Sequence, residues 1–204
     1  MKNAKRLLQE QAQHQRNLAA KAHRMDQISA GQLVALLGND AFPTASAAYE
    51  TLMAHGKSTL DSLLNGLNHP NGKVRASCAL LMDHLGDDRC AEPLIRVLKT
   101  DALEAVRRCA LHSLACQRCK ECPLETDVIA PILDAAMSDR SKQVRRRAVE
   151  YLSTQNPDPR VVEAMRLLIS RESDPIIKKR AERTLTFHVN PAIPAVSCPV
   201  RHIP

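Results

Sequence analysis

The sequence predicts an all-α fold, an α-α superhelix of about five helical hairpins stacked in series with a right-handed turn. Two observations predict it. A short phrase recurs as Val74-Arg75, Val106-Arg107, Val144-Arg145 and Ile177-Lys178, with a small residue four positions later (Cys78, Ala110, Ala148, Ala181) and Met82, Leu114, Leu152 or Leu185 eight later. A weaker copy fits at Thr44, Ala48 and Leu52, giving steps of 30, 32, 38 and 33 residues, the period of stacked repeat units. The second observation is that no stretch alternates apolar and polar residues as a half-buried strand does. Apolar residues make up 44% of the chain, yet there is no Trp, with two Phe and two Tyr. The core must therefore be Leu, Ala, Val and Ile, which suits closely stacked helices.

The elements follow in order. Residues 1–25 carry six Lys or Arg against Glu10 alone and read as a polar, basic N-terminal helix with a thin apolar stripe. The repeat array is expected over residues 26–187. Its first helices are predicted at Gln32–Leu37, Leu60–Leu67, Ala91–Leu98, Val128–Met137 and Pro159–Ile169, and its second helices carry the Val-Arg phrases. Turns are marked by Gly38-Asn39-Asp40, His69-Pro70-Asn71-Gly72, Asn156-Pro157-Asp158-Pro159 and Asp174-Pro175, residues that stop or cap helices. Residues 188–204 contain four prolines, which remove donors and fix φ, so an extended Pro-rich tail is expected there.

The net charge of +7 is concentrated at the start: residues 1–25 hold an excess of +5, leaving +2 for the rest. No run approaches the ~18 apolar residues of a membrane span, and the polar N-terminus lacks an apolar signal core. Seven cysteines without a secretion signal read as reduced thiols, so a cytoplasmic protein is expected.

The repeats at VRRRAVEYL after Asp139, VRRCALHSL after Asp101 and SDPIIKKRAERTL at 173–185 resemble the HEAT family, in its short bacterial form also called PBS-lyase HEAT-like repeats. The resemblance covers about 150 residues and is specific for fold, while fold does not imply function. It implies a ladder between neighbouring units, from the Asp before each second helix to the Arg just after its Val. Carried over residue by residue, the ladder falls on Asp101, Asp139 and Asp174, and on Arg75, Arg107, Arg145 and Lys178. The pattern breaks at Asn68-His69 and at Thr44-Ala45, so two softer joints are expected.

One segment is chemically distinctive. The third unit's second helix runs into a Cys-rich insertion, residues 116–126, which accounts for the 38-residue step; together they hold Cys109, His112, Cys116, Cys119 and Cys122. At about 100° per residue, His112, Cys116 and Cys119 fall within about 80° of Cys109, roughly opposite the apolar Val106, Ala110 and Leu114. Three readings compete: free thiols in a loop, a structural Zn2+ held by Cys116, Cys119, Cys122 and either His112 or Cys109, and an iron–sulfur cluster. The last lacks the usual fourth Cys, because position 126 is Thr.

Basic residues recur beside the phrases. Arg108, Arg146, Arg147, Lys179 and Arg180, with Glu150 and Arg183, are expected to line a groove formed by successive second helices and to bind a protein partner. A basic stripe also binds phosphate backbones, so a nucleic-acid-associated solenoid is an alternative, though Glu104, Glu150 and Glu182 lie within one turn and neutralise much of it. Among enzymes resembling this chain, DNA glycosylases need an aromatic-lined cleft, deoxyhypusine hydroxylase needs His-Glu pairs and epoxyqueuosine reductase needs a ferredoxin module, and none of these is found. The phycobilin lyases share the repeat, but no pigment-site residue can be placed by resemblance. With no Ser/His/Asp set, phosphate loop or paired carboxylates, the sequence reads as a non-catalytic scaffold or adaptor, with a metal- or redox-responsive module as the other alternative.

Overall fold

The computed structural model describes residue 13 and residues 27–120 and 124–190. The basic N-terminal helix expected over 1–25, nearly all of the Pro-rich tail and Cys122 lie outside the described residues.

Among the described residues the chain is helical and has no strand. Ten α-helices form five hairpins: α1 (Ala30–Leu36) with α2 (Phe42–His55), α3 (Leu60–Gly66) with α4 (Gly72–Met82), α5 (Ala91–Thr100) with α6 (Glu104–Ala115), α7 (Ile129–Ser138) with α8 (Lys142–Leu152), and α9 (Pro159–Arg171) with α10 (Pro175–Val189). Short 3-10 turns at Gly56–Thr59 and Asp88–Cys90 lead into α3 and α5. α10 runs two residues past the expected start of the tail at 188, because His188 is buried and its Nε2 meets the Leu152 carbonyl at 2.8 Å.

The turn residues act as caps. Ser29 and Gln32 form a capping box on α1. Asn71, Ser141, Asp158 and Asp174 each accept a backbone N–H in the first turn of α4, α8, α9 and α10. Pro159 and Pro175 occupy the first position of α9 and α10, where their missing N–H leaves no donor to satisfy.

Helices within a hairpin pack together, and the second helices α2, α4, α6, α8 and α10 form a continuous row. The repeated phrase is the core of that row: Val74, Cys78, Met82, Val106, Ala110, Leu114, Val144, Ala148, Leu152, Ile177 and Ala181 are all buried. Leu185 is only partly buried, since no described element lies beyond α10.

The ladder stands, with one substitution. Arg75 forks onto Asp101 (Nε–Oδ2 2.7 Å, Nη2–Oδ1 3.0 Å) while its Nη1 donates to the His69 and Pro70 carbonyls. Arg107 repeats this on Asp139 (2.8 and 2.9 Å) and the Asp101 carbonyl. Arg145, however, meets Glu172 at 3.4 Å instead of Asp174, because Asp174 is occupied as the N-cap of α10. Glu172 Oε1 also accepts the Ser173 and Asp174 N–H groups, as Asp101 and Asp139 accept those of Leu103 and Ser141. The two departures expected at Ala45 and Asn68 fall on the same joint, between the first and second hairpins, so there is one softer joint and not two.

A second ladder was not visible in the sequence. Ser113 Oγ donates to the Ala79 carbonyl at 2.6 Å and Thr184 Oγ1 to the Val149 carbonyl at 3.1 Å, both buried. Each hydroxyl stands seven residues after its Val or Ile and reaches a carbonyl five residues after the preceding one. A hydroxyl on a helix face gives no sequence signal of whether it faces a neighbouring backbone or water.

Candidate functional site

The site runs along α4, α6 and α8 and reaches the C-terminal ends of α4 and α6. A groove of about 490 Å³ crosses these three second helices, lined by Leu80, Ala105, Arg108, Cys109, His112, Arg147 and Tyr151. Leu80 comes from α4, Arg108 and Cys109 from α6, and Arg147 and Tyr151 from α8, so the repeat period itself brings the lining together. Arg108 is half-exposed with Glu104 at 3.8 Å, and Arg147 is half-exposed with Glu150 at 3.1 Å. Glu150 also takes Arg180 from the next hairpin. Lys179 and Arg183 are exposed on α10 and Arg146 is partly buried on α8; none of the three lines the groove. Of the seven expected partner-binding residues the groove thus gathers Arg108 and Arg147, with Glu150 and Arg180 ion-paired beside them.

Behind His112 the insertion folds against the helix ends. The Asp83 carboxylate, Cys116 Sγ, Cys119 Sγ and the His112 ring converge, with one ligand atom from each lying within 4.8 Å of the others. Cys116 and Cys119 sulfurs are 3.3 Å apart, and Cys119 Sγ is 3.8 Å from His112 Nε2. His112 Nδ1 lies 2.5 Å from the Tyr151 hydroxyl, so this imidazole is the wall shared by groove and cluster. Lys120, almost wholly buried, donates to Asp83 Oδ1 at 2.7 Å and to the Cys116 carbonyl at 2.8 Å. The far end of the insertion is tied down separately: Asp88 accepts the Glu125 and Thr126 N–H groups, and Asp127 pairs with Arg160 at 2.6 Å.

Asp83 is the residue that sequence reasoning missed. It caps the end of α4 with its side chain 1% exposed. Its Oδ2 is buried and makes no hydrogen bond, and His112 Nε2 stands 2.9 Å from it, an ion pair when that ring is protonated. An orphaned buried acceptor of this kind costs about 1–3 kcal/mol. The only sequence signal was an acidic residue one position past a helix's last apolar residue, where a helix dipole disfavours it. Of the expected metal ligands, His112, Cys116 and Cys119 are in the cluster. Cys109 is not; it sits one turn earlier on α6, facing the groove.

Electrostatics separate the thiols. Burial pushes the Cys78 and Cys90 thiols up to about 12, and raises Cys109 too. These are packing residues, not nucleophiles. Cys119 is pushed up to about 12, chiefly by its contact with the Asp83 carboxylate, then by burial and by Cys116. Burial works to raise the Asp83 carboxyl, but the neighbouring His112, Lys120 and Cys119 donors outweigh it and hold it below the usual carboxylate range.

Comparison with known proteins bears on this site. The HEAT repeats family model matches residues 60–121, which span the groove's first two helices and the start of the insertion. The chain is 28% identical over 166 residues to the phycocyanobilin lyase subunit beta of Thermosynechococcus vestitus, covering 75% of this chain and 78% of that protein. Its fold matches the solved complex of CpcE and CpcF of phycocyanin lyase from Nostoc sp. PCC7120, with a TM-score of 0.62 and 17% identity over 76% of this chain and 96% of that one. The similarity to a lyase subunit overturns the expectation that the chain is not an enzyme. That expectation rested on the absence of familiar catalytic motifs, and the absence of a compact motif does not exclude a site assembled from several repeats. Among the described residues no helix is long and apolar enough to cross a membrane. Helix pairing, repeat period and the matches all agree that residues 60–121 carry HEAT repeats and that the array has the fold of a HEAT-like helical solenoid.

Proposed function

We propose that this chain is a subunit of a bilin lyase, holding a linear tetrapyrrole in the groove across α4, α6 and α8 while a second protein chain completes the enzyme. A linear tetrapyrrole is a conjugated chain of four pyrrole rings carrying two propionate carboxylates. Leu80, Ala105, Cys109 and the ring of Tyr151 offer it an apolar bed, and Arg108 and Arg147 stand on neighbouring helices as carboxylate partners. Arginine suits that task because its fork binds a carboxylate through two parallel bonds. The volume of about 490 Å³ lies within the range of roughly 300–1,000 Å³ usual for ligand sites. Glu104 and Glu150 keep the two guanidiniums extended beside the groove in the absence of a carboxylate.

The reading is carried by two arginines standing over an apolar groove in a chain similar to a phycocyanobilin lyase subunit. The solved CpcE–CpcF pair supports a two-chain arrangement, because it is a complex of two proteins with a comparable fold. The test is a titration of the full chain with phycocyanobilin, followed by absorbance and induced circular dichroism, comparing wild type with Arg108→Glu/Arg147→Glu. Losing even one charge-assisted hydrogen bond of ~1.5–3 kcal/mol should weaken binding about 10-fold or more. Both arginines are half-exposed, so the fold should survive. Equal affinity in the two proteins would remove the reading.

A further inference from the structure

We propose that Asp83, His112, Cys116 and Cys119 form a four-coordinate site for Zn2+ or a similarly soft divalent cation, which fastens the insertion to the ends of α4 and α6. The inference is independent of what the groove binds. One tetrahedral ion with bonds of about 2.0–2.3 Å would hold its ligand atoms roughly 3.3–3.8 Å apart. The sulfurs are 3.3 Å apart and Cys119 Sγ and His112 Nε2 are 3.8 Å apart, within that range, while His112 Nε2 and Asp83 Oδ2, at 2.9 Å, would have to separate by a few tenths of an ångström to take an ion between them. Two sulfurs, an imidazole nitrogen and a carboxylate oxygen are a donor set suited to zinc and poorly suited to Mg2+ or Ca2+.

The independent observation is the Asp83 carboxylate. Its Oδ2 is buried, makes no hydrogen bond and lies 2.9 Å from the His112 nitrogen, in a residue whose carboxylate stands within 4.8 Å of both sulfurs. A cation there supplies the partner that the fold does not. The surrounding residues also behave as a metal's outer shell does. His112 turns its other nitrogen to the Tyr151 hydroxyl at 2.5 Å, which fixes the ring, and Asp83 has its other oxygen held by Lys120 at 2.7 Å. With two thiolates and Asp83 on one side and the ion and Lys120 on the other, the charges of this buried site balance. The carbonyl ends of α4 and α6 point the same way and favour a cation.

The consequence is mechanical. The insertion is too short to bury a core of its own, and a metal turns ligand binding into local folding. Because His112 is also a groove wall, the ion would fix the orientation of Tyr151 above the bed.

The test uses the full chain, stripped of metal under reducing conditions and titrated with Co2+, whose visible bands distinguish tetrahedral thiolate ligation from hydrated ion. We expect one cobalt per chain, with thiolate charge-transfer and intense d–d bands that one equivalent of Zn2+ abolishes. Cys119→Ser and Asp83→Asn should lose those bands, while Cys109→Ser keeps them. Tyr151→Phe should keep them but bind about 10-fold more weakly. Helical circular dichroism confirms that each variant is folded. The proposal is overturned by a hydrated-cobalt spectrum for the wild type, by a Cys116–Cys119 disulfide that forms with no metal uptake under reductant, or by bands that survive Asp83→Asn and vanish in Cys122→Ser.

Discussion

Arg107 ties the turn of its own hairpin to the next one, with two nitrogens on Asp139 and the third on the Asp101 carbonyl, and its side chain is 3% exposed. Truncating it leaves Asp139 buried without its cation, a defect that costs about 3–5 kcal/mol. Arg107→Ala should therefore lower the urea midpoint by an amount equivalent to about 3 kcal/mol or more at constant m. Lys73→Ala, which removes the exposed pair with Asp40, should change it by less than about 0.5 kcal/mol. The same rungs set the acid limit. Burial would raise the Asp101 and Asp139 carboxyls, but the guanidiniums of Arg75 and Arg107 outweigh it and hold both below the ordinary value of 3.8. Depressed folded-state values mean that this stability is fully present above about pH 4 and is lost as pH falls through the lower, folded-state range. Melting temperature measured from pH 6 to pH 2 should drop mainly below pH 4 in the wild type, and more shallowly in Asp139→Asn, whose stability is already lower.

At the scale of elements, two helical glycines differ in what surrounds them. Gly66 ends α3 with Cys78 Sγ and Val34 Cγ1 against the position of a Cβ, both in the packed core. Gly66→Ala should be destabilising by about 1–3 kcal/mol through overpacking, against its better helix propensity, and Cys78→Ala should recover part of the loss in the double variant. Gly72, at the start of α4, would push a Cβ against Leu103, whose side chain is exposed and free to turn away. Gly72→Ala should change the denaturation midpoint far less. The helices themselves were legible because periodicity marks each of them, reinforced by side-chain caps at α1, α4, α8, α9 and α10 and by prolines at the start of α9 and α10. The predicted first helices lie within two residues of those observed, and Asn71, Asp158 and Asp174, from the expected turns, cap the helices that follow them. The insertion was legible only as an irregularity in the period. Its path over Asp83 and Asp88 depends on contacts between residues about 37 positions apart.

At the scale of the molecule, a repeat stack responds to damage joint by joint, since each hairpin touches only its neighbours. The joint between the first and second hairpins lacks an Arg–Asp rung: Ala45 has no cation to offer, and Asn68 is engaged by Arg96 at 3.4 Å. The joints at Arg75, Arg107 and Arg145 all have one. Hydrogen exchange should show α1 and α2 opening at a lower free energy than α6 and α8, by local unfolding that leaves the rest intact. Equal protection across all five hairpins would contradict a one-dimensional stack with one soft joint.

The sequence by itself determined that the chain is a row of helical hairpins and which residues form its core. These are properties of local periodicity, and periodicity is written residue by residue. The helical-wheel placement of Cys116 and Cys119 did not carry over, because the helix ends at Ala115 and both lie beyond it. Tertiary structure alone decided that Glu172 replaces Asp174 in the ladder, that Ser113 and Thr184 bond to the preceding helix, and that Asp83 completes the thiol cluster in place of Cys109. It also decided that Arg108 and Arg147, among the described arginines, line the groove across α4, α6 and α8. The physical reason is common to all of these. Which side chain reaches which partner depends on the angle and offset between stacked helices, and that geometry is set by the packing of the whole row, not by any single stretch of it.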